Sequence, residues 1–500
     1  MEKIKVWMHN VKSVEEAVLT GKEMKAEDTQ YGANEFAVDF LIRSGIWKHL
    51  LVKPVQGKEN GKDWKKKAGI AILSELLHLG HLSKADKVIK DAKLMVELGF
   101  TFEEVDEAKG RGGGVIHRDT IRNYFKCVPC EKSIEEYYEF VNCMRRKRWI
   151  RGKTYAADGF EIEVYGKSYE GIGKVYDEEE KRWKYGYKMV MLMNVEEERE
   201  RIVGFAIGPI NSNERELLLK ILEDLEKRVV KVKDIIDTII LDRGYWGYEF
   251  LENILSAKYH LNYVLIAKKS FTFVKEDMRD LIDSGRMEFM GRRLYNKTRK
   301  EWDEVKVAYA KDIYHGYVSK AQPYLGKVNV VVMKKMEKGE EKEIFYVTNR
   351  KVKDPLRIVE LYASRWTIEN QGFRELSQKW LIRIPGGRKM NSITARICLI
   401  LKLYNAMKIM EMKHGKEWEK NKEEIEAWGE RSYIGGQGIV IYSQNYFAPF
   451  TADKFKELIE KRTRMVTLAE ERKLFINEIE KLKHYLPRDR VSELLKKLSL

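Results

Sequence analysis

From the N-terminus to about residue 150, apolar positions recur at helical spacing, as in Glu35 to Leu51, Ala68 to Leu79 and Lys84 to Leu98, with short polar joints between them. The stretch reads as all α. A glycine cluster, Gly110-Arg111-Gly112-Gly113-Gly114, precedes a short helix in Val115 to Phe125, with Ile121, Tyr124 and Phe125 facing inward and Arg118 and Arg122 outward. At Arg145 the texture changes, through the basic run Arg145-Arg146-Lys147-Arg148, to alternating apolar and polar residues. This predicts strands at Thr154 to Ala157, Ile162 to Tyr165, Lys188 to Asn194 and Ile202 to Ile207, then an amphipathic helix from Asn213 to Val229. An apolar strand, Ile236 to Leu241, a helix near Tyr248 to Ala257 and a strand, Tyr263 to Ala267, complete a mixed α/β sheet.

From Met287 to Thr348 the pattern is strand-like again, with Val305 to Ala310, Val328 to Met333 and Ile344 to Val347, and carries no interleaved long helix. It reads as a β-rich insertion. Helix returns from Pro355 to about Trp380 and from Ile393 to Met412, and charged helices follow from Thr451. No internal repeat or low-complexity tract is evident. The chain therefore reads as multidomain α/β: a helical region at 1–150, a core at 151–285, a β-rich insertion at 286–350, the second part of the core at 351–412, and a helical C-terminal region at 413–500.

Composition adds a partner. Lys and Arg number 94 against 78 Asp and Glu, a net charge of +16 that points to a polyanion, nucleic acid first. Hydrophobic residues at 44% exclude wholesale disorder. Four cysteines, Cys127, Cys130, Cys143 and Cys398, exclude a disulfide scaffold and fit a reducing, cytoplasmic setting. The longest oily stretch, Ile397 to Met407, contains Lys402 and is too short to span a bilayer, so no membrane association is expected.

Three carboxylates are the candidate chemistry. Asp158 precedes Gly159 between two alternating runs, where a hairpin turn is the bland reading. Asp242 closes an apolar strand, a position that suits a ligand crevice or a turn cap equally. Glu369 shares a helix face with Tyr362 and Arg365, which alone would read as a surface ion pair. Brought together, such acids raise one another's pKa unless a cation neutralises them, and hard oxygen donors suit Mg²⁺ or Mn²⁺. Two such ions can drive phosphodiester transfer.

Here the sequence resembles the DDE transposases of bacterial and archaeal insertion sequences, the group with a Tyr-x2-Arg-x3-Glu-x6-Lys signature and a ribonuclease-H-like core. Ala157-Asp158-Gly159 with Val164-Tyr165-Gly166-Lys167 resembles the first-aspartate strand, Leu241-Asp242-Arg243-Gly244-Tyr245 the second, and Tyr362, Arg365, Trp366, Ile368 and Glu369 the third motif. Val347-Thr348-Asn349 resembles the strand leaving the family's β-insertion. The resemblance spans about residues 150 to 385. The signature lysine is Leu376 here, with Arg374 and Lys379 nearby and Gly372 pointing to a local shift in spacing.

The resemblance implies a ribonuclease-H-like mixed sheet and an enzyme that cleaves at the terminal repeats of its own element and joins 3′-hydroxyl ends to target DNA. By position, Asp158, Asp242 and Glu369 would be catalytic and would bind Mg²⁺ or Mn²⁺. Tyr362, Arg365, Lys379 and Arg243 would contact DNA. An aromatic of the insertion, Trp302 or Tyr295, is the candidate for stacking on a flipped base. A homodimer on double-stranded DNA, cytoplasmic and nucleoid-associated, completes the expectation. The alternative is an inactive or domesticated DNA-binding regulator descended from such an enzyme; a structure-directed nuclease is a third reading.

Among other signals, Arg118, Arg122 and Asn123 could form the reading edge of a helix-turn-helix or an ordinary basic surface helix. The runs Arg145 to Arg148 and Arg292-Arg293 to Lys300 are candidate backbone contacts. Cys127, Cys130, Cys143 and His117 could be assembled into a zinc site, but a lone CxxC favours buried free thiols. Neither Gly110 to Gly114 nor Gly152-Lys153-Thr154 has the spacing of a phosphate loop, so ATP dependence is not expected, and the histidines show no paired-ligand spacing.

Overall fold

The computed structural model describes residues 8–29, 34–55, 63–77, 85–197, 200–267, 272–296, 300–318, 323–337, 339–413, 438–481 and 492. In chain order its strands are β1 (Met8–His9), β2 (Lys25–Thr29), β3 (Thr154–Glu163), β4 (Gly173–Asp177), β5 (Arg182–Asn194), β6 (Ile202–Pro209), β7 (Thr238–Leu241), β8 (Asn262–Ile266), β9 (Met290–Asn296), β10 (Glu301–Val318), β11 (Pro323–Glu337), β12 (Glu340–Thr348), β13 (Gly438–Ser443) and β14 (Tyr446–Phe450).

Strands β3 to β12 form one mixed sheet whose heart runs β6-β5-β3-β7-β8. The first three strands are antiparallel, and β7 and β8 run parallel to β3. This order is the ribonuclease-H-like arrangement, and the residues explain it. Positions 189–193 of β5, Met-Val-Met-Leu-Met, and all four residues of β7 are buried, as strands covered on both faces must be. The crossover from β6 to β7 carries helix Glu214–Arg228, which buries Leu217, Leu218, Ile221, Leu222 and Leu225 on one stripe. Asn213 caps it by accepting from the Arg215 N–H at 3.0 Å, and acids in its first turn and bases in its last oppose the helix dipole.

The β-rich insertion is not a separate layer. Its last strand, β12, pairs antiparallel with β8, so β12, β11, β10 and β9 extend the same sheet, preceded by a helix, Thr272–Asp283. Two predicted strands, Thr154 to Ala157 and Ile162 to Tyr165, prove to be one. Within β3, Asp158 pairs with Met191 and Gly159 with Val190, which overturns the hairpin reading of Asp158-Gly159. The predicted helix from Pro355 to Trp380 is also broken. It runs Pro355–Ala363, turns at Ser364 and Arg365, and then forms a wide π-turn, Ile368–Phe373, before Arg374–Gln378.

The flanking regions are largely helical, with one addition. β1, β14, β13 and β2 form a small sheet that joins the two ends of the chain, over a core of Val14, Val18, Ile441, Ala448, Phe450 and Leu458. The all-α reading of the first 150 residues and the purely helical reading of the last 88 are corrected accordingly. The periodicity missed these strands because they are short and because β1 and β2 find their partners more than 400 residues away. Residues 78–84, where two predicted helices end and begin, 297–299 of the second basic run, and 414–437 lie outside the described residues.

The last core helix, Met390–Lys413, is buried along most of its length and packs on Cys130–Arg146. Its Arg396 is 1% exposed. The guanidinium is held by the Glu75 carboxylate, through Nε at 2.6 Å and Nη2 at 2.9 Å, and by the carbonyls of Leu381 and Ile384. This cluster pins the N-terminal helices to the segment leaving the candidate site. Glu75→Ala strands a buried cation, and urea unfolding is expected to show a loss of about 3–5 kcal/mol.

Candidate active site

The three predicted carboxylates come from two strands and one turn. In the parallel register of β3 and β7, Ala157 stands opposite Leu241, so Asp158 and Asp242 follow on adjacent strands, roughly 5 Å apart along the hydrogen-bonding direction. β7 ends at Leu241 while β3 runs on, leaving Asp242 at the strand's carboxyl end and Asp158 beside it in mid-strand.

Alternation along β3 decides what each side chain meets. Asp158 lies on the face of Met191, and on that face Gly372, in the π-turn that carries Glu369, packs against Met191 and Met193. Arg365 closes the gap. Its Nη1 donates to Asp158 Oδ2 at 2.8 Å and to Glu369 Oε1 at 2.6 Å. Arg365 is 7% exposed, and its guanidinium carbon lies 5.7 Å from the Tyr362 ring and 5.3 Å from that of Trp366. The contact between Arg365 and Glu369 survives the broken helix because the turn and the π-turn keep the two residues one turn apart.

Burial pushes the Asp158 carboxyl up to about 6. The Arg365 guanidinium and the Gly159 N–H, at 2.8 Å, oppose the shift, and Glu214 and Glu369 add to it. Burial also raises the Tyr362 phenol, with Arg365 opposing and the charges of Asp242 and Asp158 assisting. Burial works against the Arg365 charge, but Tyr362, Asp158 and Glu369 hold its pKa above the ordinary arginine value.

Two neighbours were given no role in the sequence reading. Glu214, the first residue of its helix, lies behind β3, where a Cβ on Gly159 would come within 2.9 Å of its carboxyl carbon. Gly159 is thus required by a close approach, not by a turn. Tyr245 is fully buried, its hydroxyl has no hydrogen-bond partner of ordinary geometry, and burial raises its pKa together with the charges of Glu214, Asp158 and Asp242. Tyr245 closes the second motif in the sequence, which assigned it no role; Glu214 is separated from Asp158 by 56 residues and carried no signal of its own.

The other predicted residues are spread more widely. Arg243 is exposed immediately after Asp242, and Lys379 is exposed at the end of helix Arg374–Gln378. Leu376 is fully buried, so a side chain at the signature-lysine position points into the core; the π-turn accounts for the shift in spacing. Arg118, Arg122 and Asn123 are exposed on helix Arg118–Lys126, with Arg118 paired to Asp86 at 3.6 Å and Arg122 to Asp119 at 2.9 Å. Trp302 and Tyr295 are exposed cross-strand neighbours on β10 and β9, with ring centres 5.3 Å apart. Cys130 donates to Asn391 Oδ1 at 3.2 Å, Cys143 is buried, and His117 caps its helix by accepting from the Asp119 N–H.

Among the described residues, no three His, Cys, Asp or Glu side chains close on a point that would hold a metal ion. Asp158 and Glu369 nonetheless hold a cation between them, the Arg365 guanidinium, and their oxygens are of the kind that suits a hard metal ion. Asp242 adds a third carboxylate at the same edge of the sheet.

The raised Asp158 pKa makes a prediction for the metal-free protein. Between the unfolded value near 3.8 and the folded value of about 6 the folded state holds the extra proton, so this group's contribution to stability falls as pH rises. Asp158→Asn removes the charge. Urea unfolding should show the variant gaining on wild type between pH 4 and pH 7, by up to about 3 kcal/mol.

Comparison with known proteins agrees with this architecture. The family described as "Transposase DDE domain" matches residues 150–406, just over half of the chain. Among curated proteins, no sequence matches. Among solved structures, the cryo-EM structure of a piggyBac transposase synaptic complex with hairpin DNA is similar at 10% identity, covering 95% of this chain and 87% of that one, with a TM-score of 0.36, too loose a likeness to carry an argument. The match over 150–406 takes in β3, β7 and the π-turn with all three carboxylates, and the chain belongs to the DDE transposase family.

Proposed function

We propose that this transposase cleaves DNA at the terminal repeats of its own insertion sequence and joins the freed 3′-hydroxyls to target DNA. The observation that carries the reading is the Arg365 bridge between Asp158 and Glu369, more than 200 residues apart in sequence, with Asp242 following Leu241 at the end of the strand beside Asp158. In this reading the three carboxylates hold Mg²⁺ or Mn²⁺. The chemistry such ions supply when bound is activation of a water or 3′-hydroxyl and stabilisation of the leaving oxygen of a phosphodiester.

The chain's own groups do the rest. Tyr362 and Arg365 flank the carboxylates and would orient the phosphate to be cut, while Arg243 and Lys379 offer cations at the surface. Residues 1–150 would recognise the terminal repeats, with Arg118, Arg122 and Asn123 as the exposed edge. The insertion would present Trp302 or Tyr295 to an unpaired base. Two ends must be processed together, so a homodimer on double-stranded DNA is part of the proposal. Presence of all three acids favours an active enzyme over the inactive regulator. Among the described residues, no helix is long and apolar enough to cross a membrane.

Labelled duplexes carrying the flanking repeats test this directly. Nicking at the repeat ends is expected with Mg²⁺ or Mn²⁺ and not with chelator. Asp158→Asn, Asp242→Asn and Glu369→Gln should each reduce it by more than about a hundredfold while DNA binding, read by mobility shift, persists. Cleavage unaffected by all three substitutions would overturn the assignment of the site; specific binding without cutting by the wild type would select the regulator.

A further inference from the structure

We propose that Arg365 is a built-in occupant of the cation position between Asp158 and Glu369, and that DNA vacates it, so that nucleic acid binds first and the divalent ion second. The inference rests on the metal reading of the preceding subsection. One nitrogen, Nη1, makes both charge-assisted bonds, at 2.8 and 2.6 Å, so the guanidinium charge sits against the oxygens a divalent ion would need. A dication cannot share those oxygens with a guanidinium at hydrogen-bond distance, because the two positive charges repel in a site largely closed to water.

The same arginine is poised to leave. Its fork is not filled: Nε is buried and has no hydrogen-bond partner. A phosphate offers paired acceptors that match a guanidinium bidentately, which these singly bonded carboxylates do not. The backbone beneath it is a joint. Between helix Pro355–Ala363 and the π-turn the helix is interrupted at Ser364 and Arg365, where Arg365 N–H bonds the Tyr362 carbonyl, Thr367 N–H that of Ser364 and Ile368 N–H that of Arg365 itself, three tight turns at 3.0 Å. Trp366, beside the guanidinium, is 53% exposed, so the path from the buried pair to the surface is one residue long.

The consequence is ordered assembly. Without DNA the Arg365 charge occupies the position between Asp158 and Glu369 and offsets part of their charge, and the protein carries no loaded metal centre able to nick at random. A phosphate that draws Arg365 outward leaves Asp158 and Glu369 as an uncompensated acidic pair, and affinity for a dication rises. By linkage, the ion in turn strengthens DNA binding by the same factor.

Calorimetric titration of Mn²⁺ into the full-length protein without DNA tests this. Arg365→Gln is expected to bind Mn²⁺ at least about tenfold more tightly than wild type. Arg365→Lys, which keeps a cation, should stay closer to wild type, and a blunt-ended duplex should tighten Mn²⁺ binding by wild type but not by Arg365→Gln. Circular dichroism melting establishes that each variant is folded, and adding Asp158→Asn to Arg365→Gln should abolish the binding. Equal Mn²⁺ affinity of wild type and Arg365→Gln, dependent on Asp158, would overturn the gate and leave the metal reading standing. A gain in Arg365→Gln without any effect of DNA on wild type would overturn the ordered release. Absence of Asp158-dependent Mn²⁺ binding in every protein, with or without DNA, would overturn the metal reading itself.

Discussion

One buried guanidinium ties the site together. Arg365 bonds Asp158, on the central strand of the sheet, and Glu369, on a segment that follows the whole β-rich insertion. More than 200 residues separate its two partners in sequence, and the interaction is therefore a constraint on the fold as much as a feature of the site. Burying these charges is costly unless they face one another, and the raised pKa of Asp158 shows that the facing charge does not repay the cost in full. An acidic edge that is electrostatically uncomfortable when empty is what a cation-binding site requires.

The sheet explains why the discomfort is tolerated. β3 is held by a nine-pair antiparallel ladder with β5 on one side and by a parallel ladder with β7 on the other, so Asp158 cannot move out of register without unzipping both. Gly159 and Gly372 let the elements above and below approach: Glu214 lies against the first and the sulfur of Met193 against the second. Arg396 and Glu75 then fix the helix that follows the site to the N-terminal region. The two aspartates are positioned by strands, while the arginine sits on a turn, which is where motion is cheapest.

Much of this was legible in the residues. The apolar runs of β5, β7 and β8 and the amphipathic stripe of Glu214–Arg228 announced the sheet and its crossover, and Asp158, Asp242, Glu369, Tyr362 and Arg365 were recognisable from their motifs. What escaped was non-local. The Asp158-Gly159 pair looks like a hairpin turn because local sequence does not reveal that the glycine is demanded by Glu214 on another element. The helix break at Ser364 was hidden because its residues are ordinary helix formers, and the π-turn declared itself only through Gly372 and the displaced lysine position at Leu376. The small sheet of β1, β2, β13 and β14 depends on pairing across the full length of the chain, beyond any window of periodicity.

The central claim is that Asp158, Asp242 and Glu369 share one metal centre from which Arg365 withdraws. Anomalous scattering from crystals of the DNA complex grown with Mn²⁺ tests it most directly. Manganese peaks bounded by oxygens of all three residues, with the Arg365 guanidinium moved onto a phosphate, are the predicted result. Manganese bound elsewhere, with Arg365 still bridging Asp158 and Glu369 in the presence of cleavable DNA, would contradict the account.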